Sequence, residues 1–269
     1  EIPLRLVGSE MCIRDRDIPE TSFDVYDLAA LAYIYKRIKE TDPVREASHV
    51  VIDEAQDFGM MAYCCLHYCL RGCTYTIMGD TSQNIHFRYG LNDWEELRKL
   101  VLTGTYDAFG LLRKSYRNTV EIASYAANLI GVTDLELFER HGMPVLERDV
   151  TDLEAALREA VDTLFPEEKT YETAAVIVPD EKTAERAYLI LREILAEKDF
   201  DCEKRLSWLN RDSSSFKKGL TVTTFYLAKG LEFDQVFSIF PKDEKREMMM
   251  QAQYIAATRA LHELRVYHI

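Results

Sequence analysis

Apolar positions along the chain recur with two periods. Runs of strand length occur at 48–52 (SHVVI), 74–78 (TYTIM), 174–178 (AAVIV), 220–225 (LTVTTF), 235–240 (QVFSIF) and 264–268 (LRVYH). Between most of them lie segments of helical period, at 24–40, 59–70, 93–101, 118–130, 152–164, 181–197 and 247–260. The stretch "TDLEAALREAVDTLF" carries a start signal, with Thr151 and Glu154 spaced as a capping box. Its residues Leu153, Ala156, Leu157, Ala160, Val161 and Leu164 form one apolar stripe. Short strands alternating with amphipathic helices predict an α/β fold whose parallel sheets are covered on both faces. "TGTYDAFG" breaks the pattern with turn residues, so a boundary between two α/β units is expected near residues 105–112.

Composition adds bounds. With 269 residues, 47% of them hydrophobic, the chain can build one large or two modest domains. No apolar run approaches the roughly 20 residues a bilayer span needs. The first 16 residues lack a basic flank followed by a sustained apolar stretch. A cytoplasmic protein without a membrane partner is expected. The net charge of −13 is the wrong sign for a surface that clings to nucleic acid throughout, although a local basic groove remains compatible with it. Four of the six cysteines, Cys64, Cys65, Cys69 and Cys73, crowd together, but paired Cys-x-x-Cys spacing is absent. In "MMAYCCLHYCL" they sit at helical spacing, where cysteine acts as a small buried hydrophobe.

The candidate chemistry lies just past the strands. "HVVIDEAQDF", residues 49–58, stops its apolar run on Asp53 and Glu54, with Gln56 and Asp57 behind them. Gly79 and Asp80 follow the second run, and Lys229 to Glu232 follow "LTVTTF". Open α/β sheets bind ligands at the carboxyl ends of their strands. A strand-terminal Asp can hold Mg²⁺, and a neighbouring Glu can orient the water that attacks a γ-phosphate. The alternative is that these acids favour the N-terminus of the following helix. The chain contains no G-x-x-x-x-G-K-S/T and no Gly-Lys dipeptide at all. On its own the acidic pair decides nothing.

Taken in order, "VIDEAQD", "IMGDTSQNI", "LRKSYRNT", "VTTFYLAKGLEFDQV" and "YIAATRA" resemble the successive later motifs of the UvrD/Rep-type superfamily 1 helicases. The matches span residues 51–260 and look most like the helicase IV and HelD branch, whose HelD members recycle RNA polymerase. The resemblance implies RecA-like P-loop NTPase architecture, with a partial first domain at 17–108 on the Walker B side and a complete second domain at 109–269. It also implies ATP and Mg²⁺ as cofactors, and DNA as partner, as a single strand or a duplex junction. RNA polymerase is an alternative partner. The implied activity is ATP hydrolysis coupled to movement on nucleic acid, 3′ to 5′; the alternatives are a polymerase-recycling factor, a non-catalytic binding module, or a phosphohydrolase built on Asp53, Glu54 and Asp57.

The resemblance also implies roles for residues. Asp53 would hold Mg²⁺ and Glu54 would be the general base, with Gln56 and Asp57 linking their strand to neighbouring motifs. Gln83 would sense the γ-phosphate. Tyr116 resembles the aromatic that stacks on adenine, Arg117 an arginine finger, and Arg259 a second one. Gly230 and Glu232 match positions near the nucleotide, and Thr224 matches one near the nucleic-acid backbone. Outside the resemblance, Arg117 can also be read as a helix-start arginine paired with Glu121 at i+4.

The departures concern nucleic acid most. Where UvrD/Rep relatives carry a Trp, this chain reads Arg88, so base stacking would fall to Phe87 or another neighbour. Tyr226 replaces a common His, and "SYR" replaces "NYR". Residues 119–219 leave little room for the large inserted domain of UvrD/Rep enzymes. "VGSEMCIRDR" resembles a translated sequencing-adapter remnant, so residues 1–16 are expected to be non-native or a frayed arm. Without a P-loop lysine and its Ser/Thr, the isolated 269 residues are expected to hydrolyse ATP negligibly.

Overall fold

The computed structural model describes residues 23, 25–39, 42, 44, 46–86, 89–112, 114–133, 136–198, 201–211, 217–242 and 247–269. Residues 1–16, together with Phe87 and Arg88, lie outside the described residues. The chain divides into two units, Glu1–Gly110 and Leu111–Ile269. Among the described residues no helix is long and apolar enough to cross a membrane.

The first unit runs α1 (Val25–Ile38), β1 (His49–Ile52), a 3-10 turn (Ala55–Asp57), α2 (Met60–Cys69), β2 (Thr74–Ile77), a second 3-10 turn (Thr81–Gln83) and α3 (Glu95–Val101). β1 and β2 pair in parallel with His49 opposite Thr74 and Ile52 opposite Ile77. Strand alternation sends Val50, Ile52 and Ile77 into a core with Ala55, Tyr63, Leu91 and Leu97. It leaves His49, Val51, Thr74 and Thr76 on the exposed face.

The second unit runs β3 (Lys114–Ser115), α4 (Val120–Leu129), β4 (Glu136–Leu137), β5 (Leu146–Asp149), α5 (Leu153–Asp162), β6 (Thr173–Val178) and α6 (Glu181–Glu197). It continues through α7 (Cys202–Arg205), β7 (Leu206–Trp208), β8 (Gly219–Thr224), β9 (Phe233–Phe240), α8 (Glu247–Thr258) and β10 (Ala260–His268). Six strands form one sheet in the order β5-β10-β9-β6-β8-β7, with every neighbouring pair parallel. β6 alternates Ala174, Val176 and Val178 toward a core shared with α5 and α6, and Ala175 and Ile177 toward one shared with α4 and α8. A central strand buried on both faces reads as an unbroken apolar run, which is why "AAVIV" is so plain in the sequence. The fold class is therefore α/β, a parallel sheet flanked by helices.

Three expectations are corrected. The cap of α5 is Asp152, whose carboxylate accepts the Ala155 N–H at 2.9 Å; Thr151 donates instead to Asp152, so no Thr151–Glu154 capping box forms. The helix expected over 247–260 stops at Thr258, and the strand expected from 264 begins at Ala260 with an irregularity before Glu263. Strands β5 and β7 were not visible as apolar runs. β5 (LERD) is exposed at all four positions and is held at the sheet edge by backbone pairing to β10, which no side-chain period announces.

Candidate functional site

Past β1 the chain turns sharply through Glu54, which sits in the left-handed region at φ 52 and ψ 41. For a residue with a Cβ this conformation costs roughly 1–2 kcal/mol, and such strain gathers at functional positions. Asp53 Oδ1 accepts the Glu54 N–H at 2.9 Å. Gln56, fully buried, spans the two strand ends. Its Nε2 donates to Glu54 Oε2 at 2.6 Å and its Oε1 accepts the Asp80 N–H at 2.9 Å. Asp80 then accepts from the Ser82 N–H at 3.0 Å and from Gln83 Nε2 at 2.9 Å. A side chain at Gly79 would run into the Gln56 amide and the Ala55 backbone, so the glycine lets the two strand ends close up.

One hydrogen-bonded chain thus joins Asp53, Glu54, Gln56, Asp80 and Gln83. Asp57 stands half-buried in the same 3-10 turn, its charge felt by the buried Tyr63. The Tyr63 hydroxyl donates to the Ala55 carbonyl at 2.6 Å, and burial, then the Asp57 charge, push its pKa up. The reading of Asp53 and Glu54 as helix caps is corrected. The N-cap of α2 is Gly59, with no side-chain cap bond, and Glu54 makes no cap bond to its own turn.

Asp53 and Glu54 are exposed carboxylates, the hard oxygen donors that Mg²⁺ prefers. No group of three or more His, Cys, Asp or Glu side chains able to hold a metal ion occurs among the described residues. Two neighbouring carboxylates alone do not enclose a cation; a Mg²⁺ ion at this edge would need further oxygen donors from a ligand or from water. Behind this edge, Cys65 is a poor thiolate. Burial and the neighbouring Cys69, 3.9 Å away sulfur to sulfur, raise its pKa to about 11.

In the second unit the predicted residues converge on the turn before β9. Arg117 Nε lies 2.6 Å from Glu232 Oε1, in a pair half open to solvent. The alternative pairing with Glu121 is corrected. Glu121 accepts instead from the Gly142 N–H at 2.9 Å and pairs with His141 at 3.0 Å. Burial would raise the Glu121 pKa, but its own N–H, the His141 ring and the Gly142 N–H outweigh that and hold it at about 2. Gly230 has φ +82, the conformation that requires a glycine there. Arg259 is 2% exposed. Its Nη1 donates to the Leu231 carbonyl at 3.3 Å, its Nε to Ile255 O at 3.3 Å, and its Nη2 to Thr258 Oγ1 at 3.2 Å.

Two residues without a role in the sequence reading tie these parts together. Asn118, buried, donates through Nδ2 to the carbonyls of Thr258 at 3.2 Å and Ala260 at 2.7 Å. Arg140 Nη2 donates to the carbonyls of Arg117 and of Leu261, the latter at 2.6 Å. Asn118 stands inside the quoted "SYRN" and could have been singled out there. Arg140 carries no local signal, because its partners lie far away in sequence.

Of the predicted nucleic-acid residues, Phe87 and Arg88 lie outside the described residues, while Thr224 and Tyr226 stand two residues apart where β8 ends. Thr224 is buried at the end of β8. Tyr226 donates its hydroxyl to Glu181 Oε1 at 3.0 Å, and Arg211 pairs with the same carboxylate at 2.9 Å. A half-open cavity of about 540 Å³ borders the network around Arg117 and Glu121 at Arg140 and His141, and is lined also by Thr119, Tyr171, Asp234 and His262. None of the residues predicted from sequence lines it.

No protein-family model matches the chain, and no curated protein matches it. Among solved structures it is similar to the C-terminal domain of a possible DNA helicase from Lactobacillus plantarum WCFS1. That match has 24% identity and a TM-score of 0.45, covering 58% of this chain and 88% of the other. It is also similar to the PRRSV helicase, at 15% identity and a TM-score of 0.44 over 84% of this chain. A third is the arterivirus nonstructural protein 10 helicase in complex with DNA, at 15% identity and a TM-score of 0.41 over 85% of this chain. The chain spans 36% and 41% of those two viral proteins.

Proposed function

We propose that this chain carries the Walker B side and the arginine-bearing unit of an ATP-dependent helicase or translocase acting on DNA. The observation that carries the reading is convergence. Arg117 of "SYRN" and Arg259 of "ATRA", far apart in sequence, are both held on the Leu231–Glu232 turn of "AKGLEF". A phosphohydrolase built on Asp53, Glu54 and Asp57 alone would have no use for that arrangement.

In this reading Asp53 holds Mg²⁺, which when bound would neutralise charge on the phosphates of ATP. Glu54 takes the proton of the attacking water, and Gln83 reports the phosphate to the rest of the unit through Asp80 and Gln56. Arg117 exchanges the Glu232 carboxylate for phosphate oxygens. That exchange is cheap, because an exposed ion pair is worth only about 0–1 kcal/mol. Arg259, held on backbone carbonyls, fixes the turn that carries Glu232 and reaches phosphate only if that turn gives.

The test is ATP turnover in a longer polypeptide in which a G-x-x-x-x-G-K-S/T segment precedes these residues, beside the 269-residue chain itself. The short chain, without the lysine and Ser/Thr of that segment, should still bind nucleotide through its own residues but hydrolyse it negligibly. In the longer one Arg117→Ala should lower kcat roughly a thousandfold or more, while nucleotide binding weakens less, about ten- to a hundredfold. An unchanged kcat would remove Arg117 from the chemistry.

A further inference from the structure

The two short strands of the second unit bring an unassigned aromatic to the candidate site. β3 and β4 pair with Ser115 opposite Leu137, and the Phe138 N–H donates to the Ser115 carbonyl at 3.2 Å. The next side chains, Tyr116 and Phe138, therefore stand side by side. Their ring centroids are 5.6 Å apart with the planes at 41°, a separation typical of interacting aromatic pairs. Both stay open to water, Tyr116 at 65% and Phe138 at 44% exposure. Arg117 follows Tyr116 directly, with its guanidinium on the Glu232 carboxylate.

An exposed aromatic pair one residue along the chain from an exchangeable cation suits a ligand that joins a planar ring to an anion. We infer that Phe138 is a second base-binding residue, forming with Tyr116 a two-ring platform for the nucleobase of a free nucleotide. This inference rests on the nucleotide reading above. Rings tilted by 41° cannot cover opposite faces of one base, so the base stacks on Tyr116 and Phe138 packs against its edge. A free nucleotide is favoured over a nucleic-acid strand because it carries several phosphate charges on one flexible tail, and Arg117, the residue after Tyr116, is a cation that tail could reach.

Calorimetric titration of the 269-residue chain tests this with three probes: Mg²⁺-ATP, Mg²⁺-tripolyphosphate and a thymidine oligonucleotide. Phe138→Ala should weaken ATP binding by roughly five- to a hundredfold, the range for loss of one base–aromatic contact. Phe138→Trp should restore most of it, and tripolyphosphate binding should not move. Because the ring is exposed, the folded state should survive either change, which thermal unfolding checks. Equal weakening toward tripolyphosphate would make Phe138 a structural residue and overturn the proposal. So would a Phe138→Ala effect confined to the oligonucleotide. If Tyr116→Ala weakens ATP binding and Phe138→Ala does not, this inference falls while the nucleotide reading stands; if wild-type chain binds no nucleotide, both fall.

Discussion

At the level of single residues, polar side chains with distant partners organise the candidate site. Gln56 has no charge and no place in a hydrophobic period, yet it is buried and joins the ends of β1 and β2 through both ends of its amide. Sequence reading found it only because it lies inside a quoted motif. Arg140, outside every motif, was invisible for the same physical reason that makes it useful: its acceptors are Arg117 and Leu261. Glu121 shows what such a contact does to titration. Its pKa is lowered to about 2 in the folded chain, so it binds fewer protons there than in the unfolded chain and stabilises the fold above its ordinary value of 4.5. That stabilisation is lost as pH falls from about 4.5 to about 2. Glu121→Gln should therefore lower Tm at pH 6, and the gap from wild type should close over this window. A gap that is unchanged at pH 2 would mean the carboxylate's charge is not what stabilises α4.

Among elements, legibility followed burial. β6, buried on its second to sixth residues, and α6, with its apolar stripe and Asp180 cap, were readable almost to the residue. β5 and β7 escaped because edge strands are held by backbone bonds rather than by apolar side chains. The end of α8 was misplaced because Asn118, far upstream, ties the carbonyls of Thr258 and Ala260 where helix gives way to strand. Removing that tie leaves two carbonyls without their buried donor, worth about 1–3 kcal/mol. Asn118→Ala should lower the urea midpoint accordingly without changing the slope. A midpoint equal to wild type would show that the junction of α8 and β10 forms without it.

For the whole molecule, the alternation of strands and helices announced α/β units, but not the strand order β5-β10-β9-β6-β8-β7. That order depends on which distant edges meet, and local sequence does not encode it. The chemistry divides in the same way. The acids Asp53 and Glu54 belong to the first unit and the Arg117–Glu232 pair to the second, each with its own internal support. The central claim is that these groups serve a nucleotide, and equilibrium binding of Mg²⁺-ATP to the 269-residue chain, wild type against Arg117→Ala, tests it most directly. Binding that requires Mg²⁺ and weakens about ten- to a hundredfold in Arg117→Ala, as for loss of a charge-assisted hydrogen bond, is the predicted result. No binding, or binding indifferent to both magnesium and Arg117, would contradict it.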